Sequence, residues 1–207
     1  MIAAILNAVY PPKCGLCGLF SEVAICESCR KELRPVAQPF ELPPGLLDYC
    51  IASFRYEGRA AQAVQRLKYE RITSLAEPMS QLLAEVVHRQ GIEPDVAVPV
   101  PIHWRRRCFR GFNQAEMIAH ALPNSWFSPQ PMVRVRATPP QARLSRDARA
   151  TNLIDAFAAD ASVAGKHVLL VDDVTTSGHT GQECAKALKM AGTAKVGLLA
   201  FASGGDI

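Results

Sequence analysis

The sequence predicts an α/β protein, in which a parallel β-sheet carries helices on both faces and a small four-cysteine zinc module precedes it. Three observations predict this architecture. Apolar runs typical of buried strands alternate with helical patterns of about 10–15 residues, which favours a parallel sheet. Two CxxC pairs lie near the N-terminus. Near the C-terminus, the stretch "VLLVDDVTTSGHT" joins an apolar run to two aspartates and a tract of Thr, Ser and Gly.

The composition is that of an ordinary globular protein. The chain has 207 residues, 49% of them hydrophobic and 20% charged, which suits one domain of about 100–200 residues with a small appendage. No run approaches the roughly 18 apolar residues of a membrane span, and "MIAAILNAVY" lacks the basic start and cleavage site of a secretory signal. We therefore expect a cytoplasmic protein without a membrane span. The sequence leaves the oligomeric state open.

Four of the seven cysteines form two CxxC pairs separated by eight residues. The two-residue gap within a pair lets both thiolates reach one ion at about 2.3 Å, so two pairs complete a tetrahedral site. A closed site of four thiolates is structural rather than catalytic, because no coordination position is left for water. Disulfides are the alternative, which a cytosolic chain disfavours. The predicted zinc ligands are Cys14, Cys17, Cys26 and Cys29.

The Pro-rich segment "VAQPFELPPG" lacks periodicity and predicts a linker. It divides the chain into a zinc-binding module at 1–34, a linker at 35–46 and a main domain at 47–207. The three remaining cysteines are scattered, and we interpret each as a small buried hydrophobic residue: Cys50, Cys108 and Cys184.

The first half of the main domain alternates strands and helices. "DYCIASFRYEG" alternates apolar and polar residues and predicts a half-buried strand, and "AAQAVQRLKYE" and "SLAEPMSQLLAEVVHRQG" have helical spacing with a glycine stop. "DVAVPVP" predicts a short buried strand, and "NQAEMIAHAL" predicts a helix.

The second half continues the pattern. "MVRVRAT" predicts a strand, "SRDARATNLIDAF" a polar helical or irregular segment, and "KHVLLVDD" a buried strand. A helix from about Thr180 to Ala191 and a last strand, "KVGLLAFA", complete the domain.

The acidic pair and the Thr/Ser/Gly tract together favour a ligand that has both hydroxyls and a phosphate. Asp172 and Asp173 follow a buried strand at the edge of the sheet where ligands of parallel sheets bind. The hydroxyls and free N–H groups at the start of the next helix suit a phosphate, although the tract is neither a Walker motif nor GxGxxG. The carboxylates suit sugar hydroxyls or a hydrated magnesium ion. A simple turn with a helix N-cap is the alternative.

The stretch "VLLVDDVTTSGHT" resembles the phosphoribosyl-pyrophosphate (PRPP) motif of type I phosphoribosyltransferases. With "DVAVPVPIHWRRRCFRGFNQAEMIAHAL", "QARLSRDARATNLIDAF", "FRYEG...LKY" and the CxxC pairs in this order, nearly the whole chain resembles the ComF family, also called ComFC or GntX-like proteins. The resemblance implies a Rossmann-like type I phosphoribosyltransferase fold, magnesium bound together with PRPP, and a role in natural competence and DNA uptake.

The resemblance also implies site residues. The acidic pair would hold the ribose hydroxyls and is the catalytic assignment. The residues implied to bind PRPP are Val171, Asp172, Asp173, Val174, Thr175, Thr176, Ser177, Gly178, His179 and Thr180. Those on the pyrophosphate side are Pro99, Val100, Arg107 and Arg110, with Gly111, Asn113 and Gln114 nearby. A hood over the site would carry Gln141, Arg149 and Asn152.

The acceptor of the phosphoribosyl group stays unidentified, and a second function is open. Arginines concentrate between Arg105 and Arg149, which indicates a basic face near an anionic ligand or simply a solvated surface. Trp104 beside these arginines combines stacking with positive charge, as grooves for single-stranded DNA do. The alternative is therefore a non-catalytic module that senses PRPP and binds single-stranded DNA or competence proteins. Phe109 and Phe112 are candidates for stacking, although core packing is the preferred interpretation of both.

Overall fold

The computed structural model describes residues 11–36, 45–123, 126, 131–136 and 155–204. The strands are β1 Tyr49–Arg55, β2 Val96–Pro99, β3 Met132–Arg134, β4 Phe157–Ala159, β5 His167–Thr175 and β6 Lys195–Ser203. The α-helices are α1 Glu27–Lys31, α2 Gly58–Gln65, α3 Ala76–Arg89, α4 Trp104–Arg110, α5 Gln114–His120 and α6 His179–Met190. A π-helix, Arg66–Glu70, continues α2, and two short 3₁₀ helices lie at Thr73–Leu75 and Ala161–Val163.

Four strands form one sheet in the order β1-β6-β5-β2, and every neighbouring pair is parallel. β3 and β4 pair antiparallel in a separate two-stranded ribbon, which packs against α6. The predicted α/β architecture is confirmed. Because the four strands run in the same direction, their carboxyl ends meet at one edge of the sheet, where ligands of such sheets bind.

The sheet separates two hydrophobic cores, and β5 supplies alternate residues to each. Leu169 and Val171 belong to the core that also contains residues of α2, α3 and α5. Val168 and Leu170 belong to the core that contains residues of α6 and the ribbon. A strand covered on both faces is apolar throughout, which explains the unbroken run "VLLV".

The prediction of a half-buried first strand is wrong. Every residue of β1 between its two ends is buried, including the polar Ser53. Polar residues alternate with apolar ones in the sequence of β1, but the polar side chains also face a core. Helices and the N-terminal segment cover both faces of the sheet.

The N-terminal cysteine module packs directly on the main domain. Leu16, next to the first pair of cysteines, lies in the same core as Leu75 and the residues of α3. The Gly15 backbone lies so close to Leu75 that an added Cβ would sit 2.8 Å from its Cδ2 atom. The Arg66 guanidinium donates to the Gly15 carbonyl at 2.8 Å, and Arg30 forms an ion pair of 2.9 Å with Glu85.

Other local predictions differ from the structure. The basic run "WRRRCFR", for which no secondary structure was predicted, forms the short helix α4. β4, which was not predicted, begins at Phe157, the last residue of the stretch predicted as helical or irregular. Cys108 is exposed on α4, so its interpretation as a buried residue is wrong, whereas Cys50 and Cys184 are buried as predicted. Within the described ranges, no helix combines the length and the hydropathy needed to cross a bilayer.

Candidate functional site

The four N-terminal cysteines converge as predicted, with all their sulfur atoms within 4.8 Å of one another. The Sγ atoms of Cys14 and Cys29 lie 3.8 Å apart, and those of Cys17 and Cys26 lie 3.7 Å apart. Zinc with four sulfur ligands at about 2.3 Å in a tetrahedron requires sulfurs about 3.8 Å apart. A disulfide would need about 2.05 Å. The cluster therefore has the dimensions of a closed zinc site.

Backbone donors prepare this cluster for negative charge. The N–H groups of Leu16 and Cys26 both donate to Cys14 Sγ at 3.4 Å. Desolvation opposes ionisation of Cys14, but backbone donors outweigh it and lower the pKa of this thiol to about 6. Desolvation and the neighbouring thiols raise the pKa of Cys29. The four sulfurs can all be thiolates only when a cation is shared among them, which fits structural zinc.

The acidic pair lies within β5 rather than after it, because β5 continues to Thr175. β2 ends at Pro99, opposite Val171, and the Val100 N–H makes the last backbone hydrogen bond to the Val171 carbonyl at 2.9 Å. Among the strands that the structure describes, β5 pairs beyond this point with β6 alone. The acidic pair therefore begins where the β2 side of the strand becomes free for a ligand.

The predicted phosphate loop forms the turn between β5 and α6. α6 begins at His179, with Gly178 as its N-cap in the left-handed region at φ 72°. Only glycine adopts this conformation without strain. Asp172 lines a small concavity with the loop, and the other lining residues are Val174, Thr175, Thr176, Ser177, Gly178, His179, Thr180, Gly181 and Leu198. His179 is partly exposed and contributes to this wall.

Asp173 faces the opposite side of the sheet and forms an ion pair that the sequence analysis did not foresee. Lys68 Nζ lies 2.6 Å from Asp173 Oδ2, with side-chain exposures of 19% for the lysine and 4% for the aspartate. The Asp173 N–H donates to Asp172 Oδ1 at 2.8 Å, which links the two acidic residues. The pair therefore has one carboxylate in the loop concavity and one held by a lysine.

The electrostatics of the acidic pair follow from burial and mutual repulsion. Desolvation and the negative charge of Asp173 raise the pKa of Asp172 well above its usual value, and Lys68 opposes this rise. Desolvation lowers the pKa of Lys68, but the two aspartates outweigh it and the net shift is upward. Lys68 therefore stays charged at neutral pH and serves as the counter-ion of the site.

Lys68 reaches the site because it lies on the π-helix, a rare form that often marks functional positions. Arg71, the residue that follows the π-helix, adopts the left-handed region at φ 58°, a conformation uncommon outside glycine, asparagine and aspartate. Arg71 also donates to the Phe109 carbonyl at 3.5 Å, and the Arg110 guanidinium lies 5.6 Å from the Tyr69 ring. The π-helix thus connects the acidic pair to α4.

The residues predicted for the pyrophosphate side lie on α4 and at the end of β2. Asn113 fixes this region, because its Nδ2 donates to the Val100 carbonyl at 3.0 Å and its Oδ1 accepts from the Ala115 N–H at 3.1 Å. Arg107 forms an ion pair of 3.1 Å with Glu116. Arg110 donates to Gln114 Oε1 at 2.5 Å. Both guanidiniums are therefore engaged by residues of α5.

Two further arginines, which the sequence analysis did not assign to the site, lie near α4. Desolvation and the charge of Arg110 lower the pKa of Arg106. Desolvation and the charge of Arg106 lower the pKa of Arg134, on β3, to about 10. A like charge disfavours the charged form of its neighbour, so this region has a strongly positive potential.

The structure brings the predicted residues together only in part. Asp172 and the loop share one concavity, Pro99 and Val100 lie on the adjacent strand end, and Asp173 is turned to Lys68. The predicted hood residues Gln141, Arg149 and Asn152, and the predicted linker at 37–44, lie outside the described residues. Phe112 packs against the core as interpreted, but Phe109 is 89% exposed, so core packing was the wrong interpretation of Phe109.

Two protein-family models match the chain in the order of these features. A double zinc ribbon domain matches residues 5–40, and a phosphoribosyl transferase domain matches residues 119–206. The first match contains the cysteine cluster, and the second contains β5, the loop and α6.

Known proteins resemble the chain over most of its length. The DNA utilization protein YhgH of Salmonella typhimurium is 33% identical over 216 residues, covering 90% of this chain and 94% of that protein. Competence protein F of Haemophilus influenzae is 30% identical over 64% of this chain and 62% of its own length, and Bacillus subtilis competence protein ComFC is 26% identical over 87% and 73%.

Among solved structures, an allosteric regulatory enzyme of purine biosynthesis is similar with a TM-score of 0.43 and 19% identity, over 67% of this chain and 30% of that one.

The YhgH relative aligns with 90% of the chain. The two domain models match in the same order as the cysteine cluster and the β5 loop occur along the chain. The chain therefore belongs to the ComF family, as a double zinc ribbon joined to a phosphoribosyltransferase domain.

Proposed function

We propose that the protein binds PRPP together with Mg²⁺ and transfers the phosphoribosyl group to an acceptor. The observation that carries this proposal is the single concavity shared by Asp172 and the loop from Thr175 to Thr180. A carboxylate can bind sugar hydroxyls, and the N-terminus of a helix can bind a phosphate. Here the two lie close enough together for one sugar phosphate to reach both. The match to a phosphoribosyl transferase domain supports the same ligand.

Each part of PRPP has partners in this arrangement. The loop and the first N–H groups of α6 would bind the 5-phosphate, and Asp172 would accept hydrogen bonds from the ribose hydroxyls. Asp173 would join it by turning from Lys68 to the ligand. Arg107 and Arg110 would turn from Glu116 and Gln114 to the pyrophosphate. The acidic oxygens fit Mg²⁺, which prefers oxygen ligands and keeps most of its water, and which would neutralise part of the pyrophosphate charge. The hood assignment of Gln141, Arg149 and Asn152 stays part of the proposal.

The transfer step forms a bond from an acceptor nitrogen to C1′ of the ribose. The bond from C1′ to the pyrophosphate oxygen breaks, and the electron pair leaves with the pyrophosphate. The ribose carries positive charge in the transition state, and the ionised carboxylates of the acidic pair would stabilise it, Asp172 from within the concavity. The arginines of α4 stabilise the charge that develops on the leaving group.

Isothermal titration of the zinc-loaded protein with PRPP and Mg²⁺ tests the binding step. We expect Asp172→Asn and Asp173→Asn to weaken PRPP binding by about 10-fold or more, since a hydrogen bond to a charged group contributes about 1.5–3 kcal/mol. Asp160→Asn is the matched control, because Asp160 is an exposed acid that caps a 3₁₀ helix. Pyrophosphate release that depends on an added acceptor tests turnover. Wild-type protein that fails to bind PRPP at millimolar concentration contradicts the site.

A second candidate function is the binding of single-stranded DNA by α4. None of the residues of α4 is buried, and Trp104 is 61% exposed. The Arg105 guanidinium lies 5.4 Å from the centre of the Trp104 ring. Exposed aromatic rings among cations suit unpaired bases and their phosphates. The names of the relatives, DNA utilization protein and competence protein, support a link to DNA.

Salt dependence separates the two functions. Binding of a fluorescent oligothymidine that falls steeply between about 50 and 200 mM salt indicates phosphate contacts. We expect Trp104→Ala to weaken it by about 1–3 kcal/mol if a base stacks on this ring. PRPP affinity should depend on magnesium far more than on salt. Oligothymidine binding that is absent at 50 mM salt contradicts the DNA-binding function and leaves the PRPP site untouched.

A further inference from the structure

A cleft of about 240 Å³ lies beside the proposed PRPP site, between the end of β2, α4 and β3. Its lining includes apolar side chains and two guanidiniums. The lining residues that matter here are Pro99, Trp104, Arg107, Asn113, Met132 and Arg134.

The cleft begins next to the acidic pair. Pro99 is in register with Val171, the residue that precedes Asp172. Neighbouring strands lie about 4.8 Å apart, so a molecule at the Pro99 end of the cleft would lie about one strand spacing from β5. This is the distance at which a second substrate can reach a sugar bound at the end of β5.

The size and walls of the cleft favour a single planar ring. Pockets for drug-sized ligands have about 300–1,000 Å³, so this cleft is small for a two-ring compound with substituents. Trp104 offers an exposed aromatic face, and Met132 and Pro99 offer apolar contacts. The side-chain amide of Asn113 is hydrogen-bonded to the backbone of Val100 and Ala115. It therefore stabilises the wall of the cleft and does not need a polar group of the ligand.

The charge of the cleft favours an anionic group on that ring. Arg134 is held in place by contact with the Phe157 ring, 5.4 Å from its guanidinium carbon. Burial and the positive charge of nearby Arg106 lower the pKa of Arg134. Burial and the charges of Arg134, Arg105 and Arg106 likewise lower the pKa of His103, which packs against Trp104. An anion in the cleft would relieve this crowding of positive charge.

We propose that this cleft is the acceptor site and that the acceptor is a planar, single-ring nitrogen compound with one anionic substituent. The proposal rests on the proposed transfer from PRPP. The pyrophosphate of PRPP is proposed to lie beside Pro99 and Arg107, two residues at one side of the cleft. It fits the rest of the cleft poorly, because it carries charge at both ends and would place one of them against Trp104 and Met132. The ring stacks on Trp104, and its anionic group binds Arg134.

In the transfer step, the lone pair of the ring nitrogen forms the bond to C1′ while the bond to the pyrophosphate oxygen breaks. The electron pair of that bond leaves with pyrophosphate. A nitrogen that carries a proton loses it to the released pyrophosphate or to water, and a pyridine-type nitrogen loses none and keeps a positive charge.

Two probes that differ in charge test the proposal, pyridine-3-carboxylate and its neutral amide, pyridine-3-carboxamide. Ligand-observed NMR titrations of the full zinc-loaded chain are run without PRPP and then with Mg²⁺ and PRPP. The variants are Arg134→Met, Arg134→Lys and Trp104→Phe. Arg89→Met is the matched control, because Arg89 is an exposed arginine at the end of α3, away from the cleft lining.

We expect the carboxylate to bind at least about 10-fold more tightly than the amide, and Arg134→Met to remove this difference. Arg134→Lys should restore part of it, and Arg89→Met should leave it unchanged. Equal binding of acid and amide, or an Arg134→Met variant that binds the carboxylate like wild type, overturns the proposal. Carboxylate binding by a protein that binds no PRPP supports the cleft assignment while contradicting the transfer function. PRPP binding without carboxylate binding does the reverse.

Discussion

Replacing Lys68 with methionine should remove the counter-ion of Asp173 while keeping an unbranched apolar side chain of nearly the same length. The ion pair joins Lys68 Nζ to Asp173 Oδ2 at 2.6 Å, and the two side chains are 19% and 4% exposed. Removing one partner of a buried pair costs about 3–5 kcal/mol, because the other charge stays buried without compensation. The partial exposure of Lys68 favours the lower end, so we expect the free energy of unfolding to fall by about 3 kcal/mol.

Thermal unfolding followed by circular dichroism at pH 7 measures this loss. In a protein of this size, 1 kcal/mol corresponds to about 2–4 °C, so the midpoint should fall by about 6–12 °C. The matched control is Lys186→Met, which breaks an ion pair of 2.8 Å to Asp155 whose side chains are 41% and 73% exposed. Exposed pairs contribute about 0–1 kcal/mol, so the control should shift the midpoint by a few degrees at most.

The pH dependence supplies a second check. The pKa of Lys68 is raised in the folded protein above its ordinary value of 10.5. The stabilisation is therefore fully present below pH 10.5 and is lost as the pH rises through the higher folded-state value. The difference between wild type and Lys68→Met should shrink above pH 10.5. A midpoint for Lys68→Met that equals that of Lys186→Met at pH 7 refutes the assignment of Lys68 as a buried counter-ion.

Asp172→Asn should raise the melting midpoint at neutral pH while it weakens PRPP binding in titrations, because a carboxyl whose folded-state pKa is raised loses stability as the pH rises through that value; an unchanged or lower midpoint contradicts this. A zinc chelator should lower the midpoint and release one zinc per cysteine cluster in a colorimetric assay; an unchanged midpoint after zinc release would contradict the structural role. Gly197→Ala should cost about 1–3 kcal/mol in urea unfolding, because its Cβ would meet the Tyr49 ring and disturb the hydrogen bond from Tyr49 to His167; a cost below 0.5 kcal/mol on that scale would show that the ring moves freely.

Features that depend on neighbouring residues in the sequence were predictable. The CxxC spacing predicts a shared ion because both cysteines of a pair are on one turn of chain, and the four sulfur atoms indeed converge. The apolar run of β5 and the glycine-containing turn into α6 also express local rules. The start of α6 differs by one residue from the predicted position at Thr180, which is the usual uncertainty of a helix end.

Features that depend on distant parts of the chain were not predictable. Nothing local in "RLKYE" shows that it forms a π-helix or that Lys68 meets an aspartate more than a hundred residues later. The polar residues of β1 suggested an exposed face because the covering of the second face comes from other elements. Cys108 and Phe109 resemble core residues in composition, but they lie on the outer side of a helix that buries none of its residues.

The shared core of the cysteine module and α3 has a consequence for how the protein unfolds. Leu16, Ile25 and Leu33 lie in the same core as Leu75 and the residues of α3. A chain shortened to the phosphoribosyltransferase domain would leave that apolar surface open to water and prone to association. The two matched domains should therefore melt in one cooperative transition rather than two. Loss of the metal from the cysteine cluster should also destabilise β5 and the loop that follows it.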